Sequence, residues 1–219
     1  AGYVPASDKY ATGDWDTNTY ADQKWRKEAA EAGQALIRYL EEHYGDHLIG
    51  YVIGAGDTGE WSPGWVRGGE FDFSPIQRDA FRNWLKDPTA EIPRDRLRDG
   101  RRDFFNDPVK DAMLMKYFRF ESEVTTDTLL QFADAFQSTL TAMKRKRILG
   151  AFYGYSFDMF FRMGSHDFNR VLRSPNINFI SSLSDYKWRG PGGLYVGTTI
   201  PASLRLHGKL LYSEERCGM

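Results

Sequence analysis

The chain has 219 residues, 41% hydrophobic and 27% charged, with a net charge of −1. That suffices for one sizeable globular domain, or for part of a barrel of about 250 residues. The near-neutral balance argues against a nucleic-acid or anionic-membrane partner recruited by bulk charge, and no apolar run approaches the ~18 residues of a membrane span. The single cysteine, Cys217, excludes an intrachain disulfide. No signal peptide is recognisable after Ala1, although a removed leader would look the same, so localisation stays open between cytoplasm and secretion.

Residues 1–19 are polar, with scattered Gly, Pro, Asp and Thr, and read as an irregular lead-in. A helix follows from Tyr20 to Glu42, with Trp25, Ala29, Ala32, Leu36, Ile37 and Leu40 on one stripe. Gly45 ends it. His43 and His47 flank that glycine four residues apart, a spacing that binds metal only on a continuous helical face. Gly45 breaks such a face, so both are read as solvent-facing turn histidines. Leu48 to Ile53 is a short apolar run that fits a strand buried on both faces, and it stops in a Gly-rich turn.

Residues 62–107 read as a helical loop insertion. Ser74-Pro75-Ile76-Gln77 is a helix start with an N-cap, a proline in the first turn and a capping glutamine. This helix buries Ala80, Phe81, Trp84 and Leu85 and stops before Pro88. Arg94, Arg96, Arg98, Arg101 and Arg102 alternate with Asp95, Asp99 and Asp103, a self-paired solvated segment rather than a phosphate site. A long helix, or two in succession, runs from Asp107-Pro108 to Lys144, with Met113, Tyr117, Phe120, Val124, Leu129, Phe132, Phe136 and Leu140 as its core stripe. A second strand spans Arg147 to Tyr153. Ser165 caps a short helix that stops at Ser174-Pro175, and Asn176 to Ser182 is a third strand. Leu204 to Tyr212 reads as a fourth, ending at Ser213-Glu214-Glu215. Strands alternating with helices make an α/β fold with a parallel sheet.

Gly54-Ala-Gly56-Asp-Thr-Gly59 matches the dinucleotide-binding fingerprint. The match needs a helix that opens inside it, because the pyrophosphate sits on the helix N-terminus. Pro63-Gly64, the pair Gly68-Gly69 and the lack of an acidic strand end about 20 residues on all oppose that, so a nicotinamide cofactor is not expected.

The strand ends carry more telling groups: Glu60 and Trp61, then Tyr153 and Tyr155, then Tyr186 and Trp188, then Glu214 and Glu215. Two carboxylates on different strands, flanked by rings, are what acetal hydrolysis needs. One protonates the departing oxygen while the other attacks the anomeric carbon or activates water. A carboxyl desolvated beside an indole keeps its proton at neutral pH, and Glu60 next to Trp61 offers that setting. For any one such glutamate the plain alternative is a surface salt bridge; the 15% aromatic content likewise fills cores by default.

In order and spacing the chain resembles the retaining (β/α)8 glycosidases, most of all the β-galactosidase-type enzymes related to glycoside hydrolase family 42. Leu48 to Trp61 is similar to the fourth-strand block with its acid/base, and Leu149-Gly-Ala-Phe-Tyr-Gly-Tyr155 to the fifth strand. Asn176 to Ser182 with Tyr186 and Arg189-Gly-Pro-Gly-Gly193 looks like the sixth. His207-Gly-Lys-Leu-Leu-Tyr-Ser-Glu214 looks like the seventh, whose closing glutamate is the nucleophile. The resemblance implies a partial (β/α)8 barrel of strands four to seven, with Glu60 as acid/base and Glu214 as nucleophile, Glu215 being its neighbour. It also implies a substrate cleft lined by Trp61, Tyr153, Tyr155, Tyr186, Trp188 and Arg189. Gly59 stands where these enzymes commonly carry asparagine, which removes a hydrogen bond to the sugar 2-hydroxyl.

The expectation is therefore a single domain over 1–219 that cleaves β-linked galactoside-like sugars by a double displacement without cofactor or metal. The alternative is a non-catalytic carbohydrate-binding domain, or an inactive fragment of a larger glycosidase. Four parallel strands leave two apolar edges open, so a homo-oligomer, or the remainder of a barrel, is expected to cover them.

Overall fold

The computed structural model describes residues 19–55, 59, 61, 72–93, 107–153, 166–183 and 198–214. In chain order these form α1 (Gln23–Tyr44), a 3-10 turn (Gly45–His47), β1 (Gly50–Ile53), α2 (Pro75–Leu85), α3 (Ala112–Ala142) and β2 (Ile148–Phe152). α4 (Phe168–Arg173), β3 (Phe179–Leu183), α5 (Pro201–Leu206) and β4 (Leu210–Glu214) follow. The four strands make one all-parallel sheet in the order β1-β2-β3-β4.

Local chemistry sets the helix ends. Asp22 caps α1, its Oδ1 accepting from the backbone of Lys24 and Trp25 at 2.8 and 3.2 Å. Ser74 caps α2 as expected, its Oγ accepting from Gln77 N, with Pro75 in the first turn. The Gln77 side chain does not reach back to the cap. It turns inward, its amide donating to Tyr117 Oη and its Oε1 accepting from Thr19. α3 is one helix of 31 residues, not two.

Period-two alternation divides the sheet into two faces. The row Ile53–Ala151–Ile180–Leu211 points into the main core, where Ala30 of α1, Leu129, Phe132 and Ala133 of α3, Val171 and Leu172 of α4 and Leu204 of α5 meet it. The opposite row, Val52–Gly150–Phe179–Leu210, faces away from these helices. Phe179 lies flat over Gly150, where a Cβ would fall 2.3 Å from its ring. The helices that touch the sheet thus lie on one face, and each crossover steps one strand in the same direction. The sheet has no reversal of strand order, as a doubly wound dinucleotide-binding sheet requires.

Four expectations are corrected. β1 is not buried on both faces: Val52 is exposed, since no described helix lies over its side of the sheet, and Ile49, just ahead of the strand, is exposed as well. Leu204 to His207 is not strand; Pro201 opens α5, which runs to Leu206, and Gly208 at φ +65° turns the chain into a shorter β4. On α1 the expected stripe holds in part: Ile37 is buried and Trp25 and Ala29 pack against the core, but Ala32 and Leu36 are exposed and the other buried positions are Arg26, Ala30 and Glu41. Two charged side chains took core positions because each has partners there, Arg26 on the carbonyls of Tyr20 and Val124 and Glu41 on Arg147. On α3, Met113 is likewise exposed. His43 and His47 are both exposed at the end of α1, as read.

Candidate functional site at the carboxyl ends of the strands

Parallel pairing puts the carboxyl ends of all four strands on one side of the sheet, where ligands collect in α/β proteins. The turn after β1 is folded back on itself. Ala55 N donates to Gly59 O at 3.2 Å, Gly59 takes φ +84°, and Gly54 sits so close to Gly59 that a Cβ there would lie 3.1 Å from it. Only glycine accepts both the dihedral and the approach without strain. No described helix opens in the fingerprint; the next begins at Pro75.

Trp61 is drawn back under the strand. Its Nε1 donates to Ile53 O at 2.9 Å, and its ring meets Tyr20 and Phe132 at 5.6 and 5.9 Å. At 1% exposure it has no face to offer a ligand. Tyr153, at the end of β2, is 0% exposed, stacked parallel on Phe168 with its hydroxyl 2.8 Å from Thr126 Oγ1. Burial pushes that phenol well above its ordinary pKa, so it stays neutral. Of the rings expected to line a sugar subsite, these two are therefore core.

At the end of β3, Ser182 and Thr198 share a hydrogen bond of 2.7 Å, joining the strand to the segment that leads into α5. β4 ends at Glu214, in register with Leu183. The Glu214 side chain, and Glu60, Tyr155, Tyr186, Trp188, Arg189 and Glu215 entirely, lie outside the described residues, as does Ser165. Of the residues on either side of Glu60 in sequence, Trp61 is anchored to Ile53, the last residue of β1, and Gly59 to Ala55 two residues further on. Among the described residues no cluster of His, Cys, Asp and Glu could hold a metal ion.

A cleft of about 490 Å³ that the sequence did not single out lies between α3 and the start of α4, lined by Met115, Phe118, Arg119, Glu123, His166 and Asp167. Burial would raise the Glu123 carboxyl, but hydrogen bonds from the Trp84 indole (2.7 Å) and Arg119 (2.8 Å) hold it below the usual range. Burial raises Asp167 despite its contact with Arg170. Opposed shifts in one cleft are a mark of functional sites and also of structural ion-pair networks. Here each carboxylate already has a cationic partner. The i, i+4 spacing of Arg119 and Glu123 was the one sequence signal for it.

No protein-family model, curated protein or solved structure matches this chain.

Proposed function

We propose that this chain is a retaining β-glycosidase, or the catalytic-face segment of one, acting on β-linked galactoside-like sugars. Glu60 is the general acid/base and Glu214 the nucleophile, with no cofactor. The observation that supports this reading is that Gly59 and Trp61, the sequence neighbours of Glu60, are tied by hydrogen bonds to Ala55 and Ile53 at the carboxyl end of β1, and that β4 of the same parallel sheet ends at Glu214.

Mechanistically, the Glu60 carboxyl would protonate the glycosidic oxygen while the Glu214 carboxylate attacks the anomeric carbon. The bond to the leaving group breaks as the glycosyl–enzyme ester forms; Glu60, now a base, then takes a proton from the water that cleaves that ester. Retention requires carboxyl groups about 5–5.5 Å apart. β1 and β4 are separated by three strand spacings, roughly 14 Å if the sheet were flat. Side chains reaching inward across a curved barrel wall close that gap, so the reading includes a (β/α)8-type curvature.

The test is hydrolysis of a chromogenic β-galactoside. Glu60→Gln and Glu214→Gln should each lower turnover by at least about 10³-fold with the fold intact. A folded chain that binds galactosides without turnover would instead support the non-catalytic alternative.

A further inference from the structure

The face of the sheet turned away from the helices is apolar, buried at its centre by Phe179 over Gly150 and open along its outer strands. Val52 is 55% exposed, Leu210 59% and Tyr212 61%, and Ile148 also reaches solvent. All four lie on the same side by register, in the alternation Ile148–Val52/Leu210–Tyr212. All-parallel sheets occur almost only with both faces covered, because each strand otherwise exposes half of its large side chains. The two outer strands are open as well, since β1 and β4 each pair on one side only among the described residues. Neither carries much of the usual protection of an edge: β1, Gly50-Tyr-Val-Ile53, has no proline and no charge, and β4 has no proline and a single charge at its last residue, Glu214.

We propose that a second copy of this chain seats on this face, closing an eight-stranded parallel barrel about a twofold axis. The strand count and direction select that occupant. Four strands in unbroken order, with helices on one side, form half the wall of an eight-stranded barrel. A twofold along the barrel axis sets β1 of one copy parallel to β4 of the other, and the same operation makes the second seam. Both edges and both apolar faces are then satisfied at once, with no open end for further growth. Pairing β1 with β1 would leave β4 exposed and the inner rows uncovered. The barrel interior would be packed by Val52, Ile148, Phe179 and Leu210 from each copy, aliphatic and aromatic side chains of the kind that fill such interiors. The inference goes beyond the glycosidase reading and stands on the sheet alone.

Sedimentation equilibrium of the chain at micromolar concentration tests it. The expected species has roughly twice the 25.2 kDa chain mass. Val52→Lys and Leu210→Lys place a charge on the shared interior at positions already open to solvent in one copy, so each should give a monomer with an unchanged helical circular-dichroism signal. A wild-type monomer with cooperative unfolding, an open-ended series of larger species, or a dimer indifferent to both substitutions would each overturn the proposal. β-Galactoside hydrolysis, measured on the same samples, separates the two readings: an inactive dimer sinks the glycosidase and leaves the closure, whereas an active monomer does the reverse.

Discussion

Arg147, one residue before β2, grips Glu41 of α1 with both prongs of its guanidinium, Nε to Oε1 at 2.7 Å and Nη2 to Oε2 at 2.9 Å. The carboxylate is fully buried and also receives the Tyr51 hydroxyl at 2.8 Å and Arg145 at 3.3 Å. Helix α1, β1 and the entry to β2 are thus tied to a single charge. The hydrogen bonds from Arg147, outweighing the cost of burial, hold the Glu41 carboxyl below the usual carboxylate range. Glu41→Gln keeps the shape but loses the charge, leaving two arginines without their shared anion; about 2–4 kcal/mol of stability should go with it. The pH dependence has a definite sign. A carboxylate whose pKa is depressed on folding contributes stability above its unfolded value near 4.3, and that stability is lost as pH falls through the lower folded value. Urea midpoints from pH 7 down to 3 should therefore fall more steeply in the wild type than in Glu41→Gln. Parallel pH curves would remove Glu41 as the acid-sensitive group.

Gly50 and Gly150 face different obstacles on one sheet. A Cβ on Gly50 would stand 2.2 Å from the carbonyl oxygen of Ile148, a backbone atom that cannot move without breaking the β1–β2 ladder. On Gly150 the obstacle is the Phe179 ring, which can swing. Gly50→Ala should cost about 3 kcal/mol or more and Gly150→Ala about 1–2 kcal/mol, the usual range for overpacking. Chemical denaturation of the two variants checks the ranking, and equal costs would mean that the edge strand yields as readily as a ring.

Both α2 and α3 end in a lysine with left-handed backbone, Lys86 and Lys144, each at φ 57°. In each the following amide bonds back across the turn, Asp87 N to Arg82 O and Arg145 N to Leu140 O. These are glycine-type helix ends occupied by a side chain with a Cβ. Lys86→Gly and Lys144→Gly should each raise stability by about 0.5–1 kcal/mol, seen as a rise in Tm of a few degrees. A loss at Lys86 would mean that its side chain does more for the helix end than its dihedral costs.

The elements whose apolar spacing and punctuation agree were legible in the sequence. Ser74-Pro75 opens α2, Ser174-Pro175 closes α4, and the β1–α3–β2 alternation dictates parallel pairing. α5 was not legible, because Leu204-Arg-Leu-His alternates like a strand and only Pro201, three residues upstream, marks a helix start. The face of α1 was only partly legible for a related reason: Arg26 and Glu41 are buried through partners remote in sequence, at Val124 and Arg147, which no local pattern carries. For the site, the turn at 54–61 was identified from its glycines. That Trp61 folds inward depends on a bond to Ile53 O and on Phe132, 71 positions away, so spacing along the chain could not give it.

That inward turn makes a prediction about the rings themselves. Trp61 and Tyr153 sit at strand ends where a sugar platform was expected, yet both are sealed into the core. Tyr153→Phe removes a hydroxyl that Thr126 Oγ1 meets at 2.8 Å, and Trp61→Phe removes the donor to Ile53 O. Each leaves a buried oxygen with one partner fewer, at about 1–3 kcal/mol, and Trp61→Phe adds the loss of ring contacts with Tyr20 and Phe132. Stability should therefore fall in both. Galactoside affinity, measured by titration well below the unfolding temperature, should stay within about twofold for Tyr153→Phe, because its ring and hydroxyl have no surface to present. Trp61→Phe can shift affinity further through position 60, its neighbour in sequence, because it loses the bond that ties Trp61 to Ile53 O. A large loss of affinity in Tyr153→Phe without loss of stability would place the phenol in the cleft after all and return it to the substrate.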